Sequence, residues 1–141
     1  MKSPIELAER FRSEGMKLTP QRELIFRLVF DNASHPSADA VFAAARTHMP
    51  MISLKTVYQV LNDLTALGEI QSLDIGTGAV RFDPNTSDHH HAVCSGCGLI
   101  LDVALADIPQ LHDERGFVVH DVDVTFRGLC AACVTSASPL S

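Results

Sequence analysis

The stretch SDHHHAVCSGCG at residues 87–98 holds three consecutive histidines and two cysteines, and all five side chains can bind a metal ion. A second CxxC pair, CAAC, follows at 130–133. Two such pairs can supply four thiolates to one tetrahedral zinc ion, whose closed coordination sphere is structural and not catalytic. The pattern therefore predicts a structural zinc site, with disulfides or a redox-active CxxC as alternatives. The predicted ligands are Cys94, Cys97, Cys130 and Cys133.

The three histidines have no place on a zinc ion that four cysteines already fill, so they serve another site or none. In an extended segment successive side chains point to opposite faces, which pairs His89 with His91 and turns His90 the other way. Nearby carboxylates are Asp83 and Asp102, the latter on the predicted strand LILDV. Imidazoles with carboxylates suit Fe(II), Mn(II) or Zn(II). A solvated surface loop is the alternative for this histidine run.

The composition of the 141 residues is that of a soluble globular protein, with 46% hydrophobic and 20% charged residues. No apolar run approaches the roughly 18 residues that a membrane-spanning helix needs. The amphipathic N-terminal segment MKSPIELAERF argues against a secretion signal, so we expect a cytoplasmic protein. In that compartment cysteines are more often metal ligands or redox thiols than parts of a disulfide framework.

The net charge of −6 is unevenly distributed along the chain. Residues 1–82 hold nine Lys/Arg and nine Asp/Glu, whereas residues 83–141 hold two Lys/Arg and eight Asp/Glu. Nearly all basic residues thus precede the histidine run, and nearly all candidate metal ligands follow it. This asymmetry indicates two modules, one able to approach an anion and one able to bind cations.

Four helices are predicted in the N-terminal half from capping residues and from apolar residues at helical spacing. They begin at Ser3, Thr19, Ser37 and Ser53, and the first and last end near Gly15 and Gly68. The residues expected in the core are Leu24, Ile25, Leu28, Val29, Val41, Phe42, Ala45, Val57, Val60, Leu61 and Leu64. After the fourth helix, EIQSLDI, GTG and AVRF predict a β-hairpin with a glycine turn.

Helices followed by a hairpin describe a winged helix-turn-helix, in which the last helix before the wing enters the major groove of DNA. On that helix Lys55 can contact a phosphate, Gln59 an adenine edge and Tyr58 a thymine methyl group. Ser53 and Thr56 lie on the same polar face. The alternative is a helical interaction domain whose polar face is only solvated. Because the basic and acidic residues of this half balance, one copy would bind DNA only weakly, and a dimer is needed to gather enough phosphate contacts.

With these modules in this order, the chain resembles the ferric uptake regulator (Fur) family of repressors from about Ile5 to Val134. The matching segments are GMKLTPQR, HPSADAVF, SLKTVYQVLNDLTALGEI, RFDPNTSDHHHAVCSGCG, LILDV and GLCAAC. The resemblance implies an α+β fold with a winged helix-turn-helix DNA-binding domain at 1–82 and a hinge with metal ligands at 83–91. A small αβ dimerisation domain with the structural zinc follows at 92–141. It also implies a homodimer on a palindromic operator in double-stranded DNA.

The resemblance further implies a regulatory Fe(II) or Mn(II) site, possibly occupied by Zn(II) in isolated protein, with the ligands His35, Asp83, His89, His91 and Asp102. By itself, His35 would be predicted to be an exposed turn residue before Pro36. Lys17 and Arg22 match family positions near the DNA backbone or minor groove. His90, His112 and His120 are expected to be surface residues, so no third metal site is predicted.

Aspartate at position 102, together with TSDHHHAVC and RFD, resembles the peroxide-sensing branch of the family. The implied function is a metal-dependent repressor that senses hydrogen peroxide through metal-catalysed oxidation of a ligating histidine. The alternative is a repressor that senses Fe(II), Mn(II) or Zn(II) availability, and a distant one is a metallohydrolase. We expect no enzyme activity, no small-molecule substrate and no membrane partner. Gln59 stands where arginine or asparagine is more usual, so the operator sequence cannot be copied from the family.

Overall fold

The computed structural model describes residues 1–76, 78–112 and 115–136. The chain forms two compact units, Met1–Ser87 and Asp88–Ser141. The division between the units falls within residues 83–91, the segment for which the sequence predicts a hinge. Among the described residues, no helix is long and apolar enough to cross a membrane.

Four helices build most of the N-terminal unit, and each begins where its capping residue predicts. They are α1 (Pro4–Ser13), α2 (Pro20–Val29), α3 (Ala38–His48) and α4 (Leu54–Ala66). The side chains of Ser3, Thr19, Ser37 and Ser53 each accept a hydrogen bond from the amide three residues later. Such caps contribute about 1 kcal/mol each. The glycines predicted to end α1 and α4 follow within two residues and have left-handed φ angles.

The core of the N-terminal unit lies between these helices and the hairpin that follows them. Nine of the eleven predicted core residues are buried, while Leu28 and Phe42 are partly buried against the core. The largest fully buried side chains are those of Phe11 and Phe26, whose ring centroids lie 4.8 Å apart in an edge-to-face arrangement. Helix α4 contributes Val57, Val60, Leu61 and Leu64 to this core, which leaves its polar face outward.

The predicted hairpin is present as strands β1 (Gln71–Leu73) and β2 (Arg81–Asp83), which pair antiparallel. Strand β2 also contacts the segment before α3, since Ser37 and Arg81 form an isolated β-bridge. The amide of Phe82 donates to the carbonyl oxygen of Pro36 at 2.9 Å. The wing is therefore tied to the turn that contains His35.

Glu69, just before β1, holds the N-terminus of α1 to the end of α4. Its side chain is buried and accepts hydrogen bonds from the ammonium of Lys2 at 2.7 Å, the amide of Lys2 at 2.9 Å and the guanidinium of Arg10 at 2.5 Å. Burial alone would raise the pKa of this carboxyl, but the contacts with Lys2 and Arg10 outweigh it and lower the pKa from 4.5 to about 2.

Replacing Glu69 by glutamine is expected to destabilise the protein at neutral pH by about 2 kcal/mol. This is less than the full pKa shift implies, because solvent screens the partly exposed charges of Lys2 and Arg10. Because the folded-state pKa is lowered, this stabilisation is present above pH 4.5 and is lost as the pH falls towards about 2. Urea unfolding followed by far-UV circular dichroism measures the difference from wild type at each pH. Glu9→Gln, at an exposed position on α1, is the matched control. A wild-type–variant difference that does not shrink with acidification would contradict this origin of the stability.

The C-terminal unit contains strands β3 (His90–Cys94), β4 (Ile100–Val103) and β5 (Thr125–Gly128) and the short helix α5 (Ala131–Ser136). The strand order is β4-β3-β5, with β3 antiparallel to β4 and parallel to β5. Helices and small sheets together confirm the predicted α+β class. Many apolar side chains of this unit are exposed, namely those of Leu99, Leu101, Ile108, Leu111, Phe117, Val118, Val119, Phe126, Leu129 and Val134.

Candidate metal centres and nucleic-acid interface

The parallel pairing of β3 and β5 brings the two CxxC pairs together. Cys94 is the last residue of β3 and lies opposite Gly128, the last residue of β5, so both strands end at the same edge. The amide of Ser95 donates to the carbonyl oxygen of Gly128 at 2.7 Å. The chain then reaches Cys130 and enters α5, which carries Cys133. The first pair thus closes on the second across the sheet edge.

The four cysteine sulfurs all lie within 4.8 Å of one another. Those of Cys97 and Cys130 are 3.8 Å apart, which is the separation of about 3.8 Å that Zn–S bonds of about 2.3 Å impose on a tetrahedron. It is far beyond the roughly 2.05 Å of a disulfide, and all four thiols are free. The first CxxC pair forms a tight turn. A Cβ at Gly96, within this turn, would lie only 2.9 Å from the sulfur of Cys133, so only glycine fits at this position. The arrangement fits a tetrahedral metal ion.

Hydrogen bonds within the cluster shift the thiol pKa values in opposite directions. The backbone amides of Cys130 and Cys97 donate to the sulfur of Cys94 and lower its pKa from 9.0 to about 6, and the amide of Cys130 has the larger effect. The pKa of Cys133 is raised to about 12, chiefly because its thiol lies within hydrogen-bonding reach of the sulfur of Cys94, and less because of the sulfurs of Cys130 and Cys97. Four thiolates at this spacing therefore require a cation, whose binding releases the protons.

A second set of donors forms where β3 pairs with β4. His91 lies directly opposite Asp102, and its Nε2 is 3.5 Å from Asp102 Oδ1. His89, two residues earlier on the same face, places its Nε2 3.2 Å from the same oxygen. Neighbouring ligands on one metal ion, each about 2.1 Å from it, are about 3 Å apart. These three side chains, termed the C-terminal half-site, therefore converge as ligands do.

The strand alternation predicted for the histidine run is confirmed. His90 is turned away from the C-terminal half-site, and its Nδ1 accepts a hydrogen bond from the amide of Val124 at 3.1 Å. His91 donates its own amide to the carbonyl oxygen of Val124 at 3.2 Å. His90 is thus partly buried and hydrogen-bonded, whereas His112 and His120 are exposed.

His35 and Asp83 form a pair within the N-terminal unit, termed the N-terminal half-site. His35 Nε2 lies 3.2 Å from Asp83 Oδ2, and the two side chains are only 1% and 2% exposed. The prediction of an exposed His35, made from its place before Pro36, was therefore wrong. A positive φ of 51° does make it a turn residue, but the turn directs the imidazole inward against β2.

The predicted recognition helix α4 buries Val57, Val60, Leu61 and Leu64 and leaves its polar face accessible. Lys55, Tyr58 and Gln59 are exposed on that face. The hydroxyl of Ser53 accepts from the amide of Thr56 at 3.1 Å and lies 2.9 Å from its hydroxyl, so these two residues also cap the helix. The face matches the one from which the sequence predicts DNA contacts.

Lys17 and Arg22 differ in their surroundings. Lys17 is exposed, whereas the Arg22 guanidinium donates to the carbonyl oxygen of Lys17, lies 3.7 Å from Asp63 and stacks over the ring of Phe11. These contacts give Arg22 a structural role at the junction of α1, α2 and α4.

The profile of the Ferric uptake regulator family matches residues 13–127. The chain belongs to the ferric uptake regulator family. Over 129 residues it is 36% identical to the "Peroxide-responsive repressor PerR" of Staphylococcus epidermidis, and the match covers 86% of this chain and 84% of that protein.

Solved structures of ferric uptake regulators share the fold. The regulator of Francisella tularensis with iron superposes with a TM-score of 0.75 at 27% identity, covering 85% of this chain and 96% of that one. The Helicobacter pylori ferric uptake regulator reaches 0.76 at 22% identity, covering 97% and 94% of the two chains. The predicted winged-helix domain followed by a dimerisation domain is therefore the ferric uptake regulator fold.

Two structural features of this chain could not be predicted from its sequence. Glu69 lies in the SLKTVYQVLNDLTALGEI segment that the resemblance uses, but its contacts with Lys2 and Arg10 follow only from the structure. Arg81 lies in the RFD segment that the resemblance uses, but its contact with the turn of His35 follows only from the structure.

Proposed function

We propose that this protein is a metal-dependent DNA-binding repressor that senses hydrogen peroxide. The observation that carries the proposal is the convergence of His89 and His91 on the carboxylate of Asp102. An aspartate at that position resembles the peroxide-sensing branch, and the relative from Staphylococcus epidermidis is named a peroxide-responsive repressor.

In this proposal the four cysteines hold a structural Zn(II). The free thiols, their tetrahedral spacing and the four-sulfur donor set support that choice of metal. The site joins β3 at the start of the C-terminal unit to α5 at its end. Loss of the zinc would remove the link between the end of β3 and the segment that follows β5.

The regulatory site would take ligands from both half-sites: His35 and Asp83, and His89, His91 and Asp102. Each half-site offers imidazole nitrogen and carboxylate oxygen at the spacing of neighbouring ligands, a donor set suited to Fe(II), Mn(II) or Zn(II). Bound Fe(II) would activate hydrogen peroxide, a reaction that Mn(II) does not support. One peroxide oxygen would be transferred to a ligating imidazole and the other would leave as water, so that the imidazole is the two-electron donor overall. His35 or His89, once its imidazole has gained an oxygen, would be a poor ligand.

Ligands contributed by both units give the metal its control over DNA binding. A metal held by both half-sites favours the arrangement of the units in which all five side chains bind it. The size of the population shift is set by how much more tightly that arrangement binds the metal than the others do. Oxidation of one histidine removes the preference. Repression would then end while the zinc site remains intact.

A homodimer follows from the charge and the exposed apolar surface. The N-terminal 82 residues are electrically neutral, so one copy has few phosphate contacts to offer. Exposed side chains such as Leu101, Phe126 and Val134 in the C-terminal unit form the kind of surface that a second copy covers. Two copies related by a twofold axis would read a palindromic operator in double-stranded DNA.

The DNA-binding part of the proposal is tested with Gln59→Ala and Lys55→Ala on a duplex selected by the wild-type protein loaded with Mn(II). Gln59→Ala is expected to cost about 1–3 kcal/mol on the selected duplex and little on random DNA. Lys55→Ala should weaken binding to both and lower the slope of log K against log salt by about 1 per copy. Arg12→Ala, an exposed arginine on α1, is the control. Equal effects of all three variants would refute α4 as the reading helix.

A repressor that senses the availability of Fe(II), Mn(II) or Zn(II) is the second candidate. The fold similarity to an iron-containing ferric uptake regulator favours it, and it uses the same ligands without any oxidation. The two candidates differ in a single outcome, which is whether peroxide modifies a ligating histidine. A metallohydrolase is not proposed, because the chain belongs to a family of regulators.

A further inference from the structure

His35 has an unusual backbone conformation for a buried side chain. Its φ of +51° lies in the left-handed region, which residues with a Cβ adopt uncommonly, and the side chain is 1% exposed. Such a conformation persists where the surrounding structure holds it in place.

Strand β2 holds this turn with two hydrogen bonds. The Arg81 guanidinium donates through Nη1 to the carbonyl oxygen of His35 at 2.9 Å, and the Phe82 amide donates to the carbonyl oxygen of Pro36 at 2.9 Å. Ser37 completes the contact by forming a β-bridge with Arg81. Three consecutive backbone positions of the turn are thus fixed from one strand.

The next residue of the same strand contacts the imidazole itself, since Asp83 Oδ2 lies 3.2 Å from His35 Nε2. Residues 81–83 therefore hold the backbone and the side chain of His35 together. If the contact of Arg81 were lost, the turn could relax towards ordinary backbone angles. The imidazole would then move relative to Asp83.

We propose that Arg81 is a positioning residue for the regulatory metal site, acting through the backbone of His35. This inference rests on the proposed function, in which His35 and Asp83 are ligands. Arginine suits the task because its guanidinium is always charged and presents several rigid donors, so its bond to a carbonyl is strong and directional. Groups that orient metal ligands typically contribute 10–100-fold to metal affinity.

The test is an Mn(II) titration, followed by electron paramagnetic resonance, of full-length protein whose cysteine site is filled with zinc. Arg81→Met removes the donors while keeping a long side chain, and it is expected to weaken Mn(II) binding by about tenfold or more. Arg81→Lys retains a cationic donor and should recover most of the affinity. Val80→Ala, at the exposed neighbouring position, is the matched control. Zinc content and melting temperature are measured on every variant.

Mn(II) affinity of Arg81→Met within twofold of wild type would overturn the inference while leaving the proposed site in place. Equal losses in Arg81→Met and Arg81→Lys would also overturn it, since the donor would then not matter. If Arg81→Met does not fold, Arg81→Gln replaces it with the same expectation, because the shorter amide cannot reach the carbonyl. Wild-type protein that binds no Mn(II) beyond its zinc would overturn the proposed function, and this inference with it.

Discussion

Replacing Cys94 by serine is expected to remove the structural zinc and to dissociate the dimer at the same time. Serine does not ionise near neutral pH, so one of four ligands is lost from a site whose sulfurs are held at tetrahedral spacing. The sulfur of Cys94 also accepts hydrogen bonds from the amides of Gly96 and Cys130, each at 3.3 Å, and the second of these bonds links the two CxxC pairs. Structural zinc sites contribute on the order of 10 kcal/mol in small domains, so we expect the largest effect on stability here.

Zinc content after dialysis against a chelator and sedimentation at several protein concentrations measure this result together. Ser95→Ala is the control, because its exposed side chain lies next to Cys94 while the amide that bonds Gly128 is kept. A Cys94→Ser protein that keeps one zinc per chain would show that the four-thiolate assignment is wrong. A dimer that survives complete loss of zinc would separate dimerisation from the metal.

The second large effect is expected for His91→Ala, which should abolish Mn(II)-dependent DNA binding and leave the zinc content unchanged. His91 is buried and lies opposite Asp102 across the β3–β4 pair, so water cannot easily take over its place as a ligand. We expect Mn(II) affinity to fall at least about a hundredfold, beyond the effect of groups that only orient ligands. Fluorescence anisotropy with a labelled duplex, with and without Mn(II), measures the outcome.

His112→Ala is the matched control for that experiment, because His112 is an exposed histidine of the same unit. It should bind Mn(II) and DNA as the wild type does. If His91→Ala keeps Mn(II)-dependent DNA binding, the C-terminal half-site does not take part in regulation.

The sequence predicts most of the fold because its local signals are strong. Capping residues mark the starts of the four helices of the N-terminal unit, and apolar spacing identifies most of the core that these helices bury. The pairing of His89 with His91 also follows from local geometry, since strand alternation needs no knowledge of the tertiary structure. Side chains that share a face through such short-range periodicity can therefore be predicted from the sequence alone.

Features that depend on contacts distant in sequence could not be predicted in this way. The parallel pairing of β3 with β5, which brings Cys94 to Cys130, is set by tertiary packing and not by the CxxC motifs themselves. The inward turn of His35 depends on hydrogen bonds from Arg81 and Phe82, more than forty positions away in the chain. Only the family resemblance predicts His35 as a ligand, whereas its local sequence wrongly predicts an exposed side chain.

Peroxide is expected to inactivate the repressor by oxidising a ligating histidine, and one measurement tests this directly. Protein with zinc in its cysteine site is loaded with either Fe(II) or Mn(II) and exposed to dilute hydrogen peroxide. Binding to the selected duplex and the masses of the peptides containing His35 and His89 are then determined on the same samples. We predict DNA release only in the iron-loaded sample, with a gain of one oxygen on one of these two peptides. Persistent DNA binding with both histidines unmodified would contradict the account.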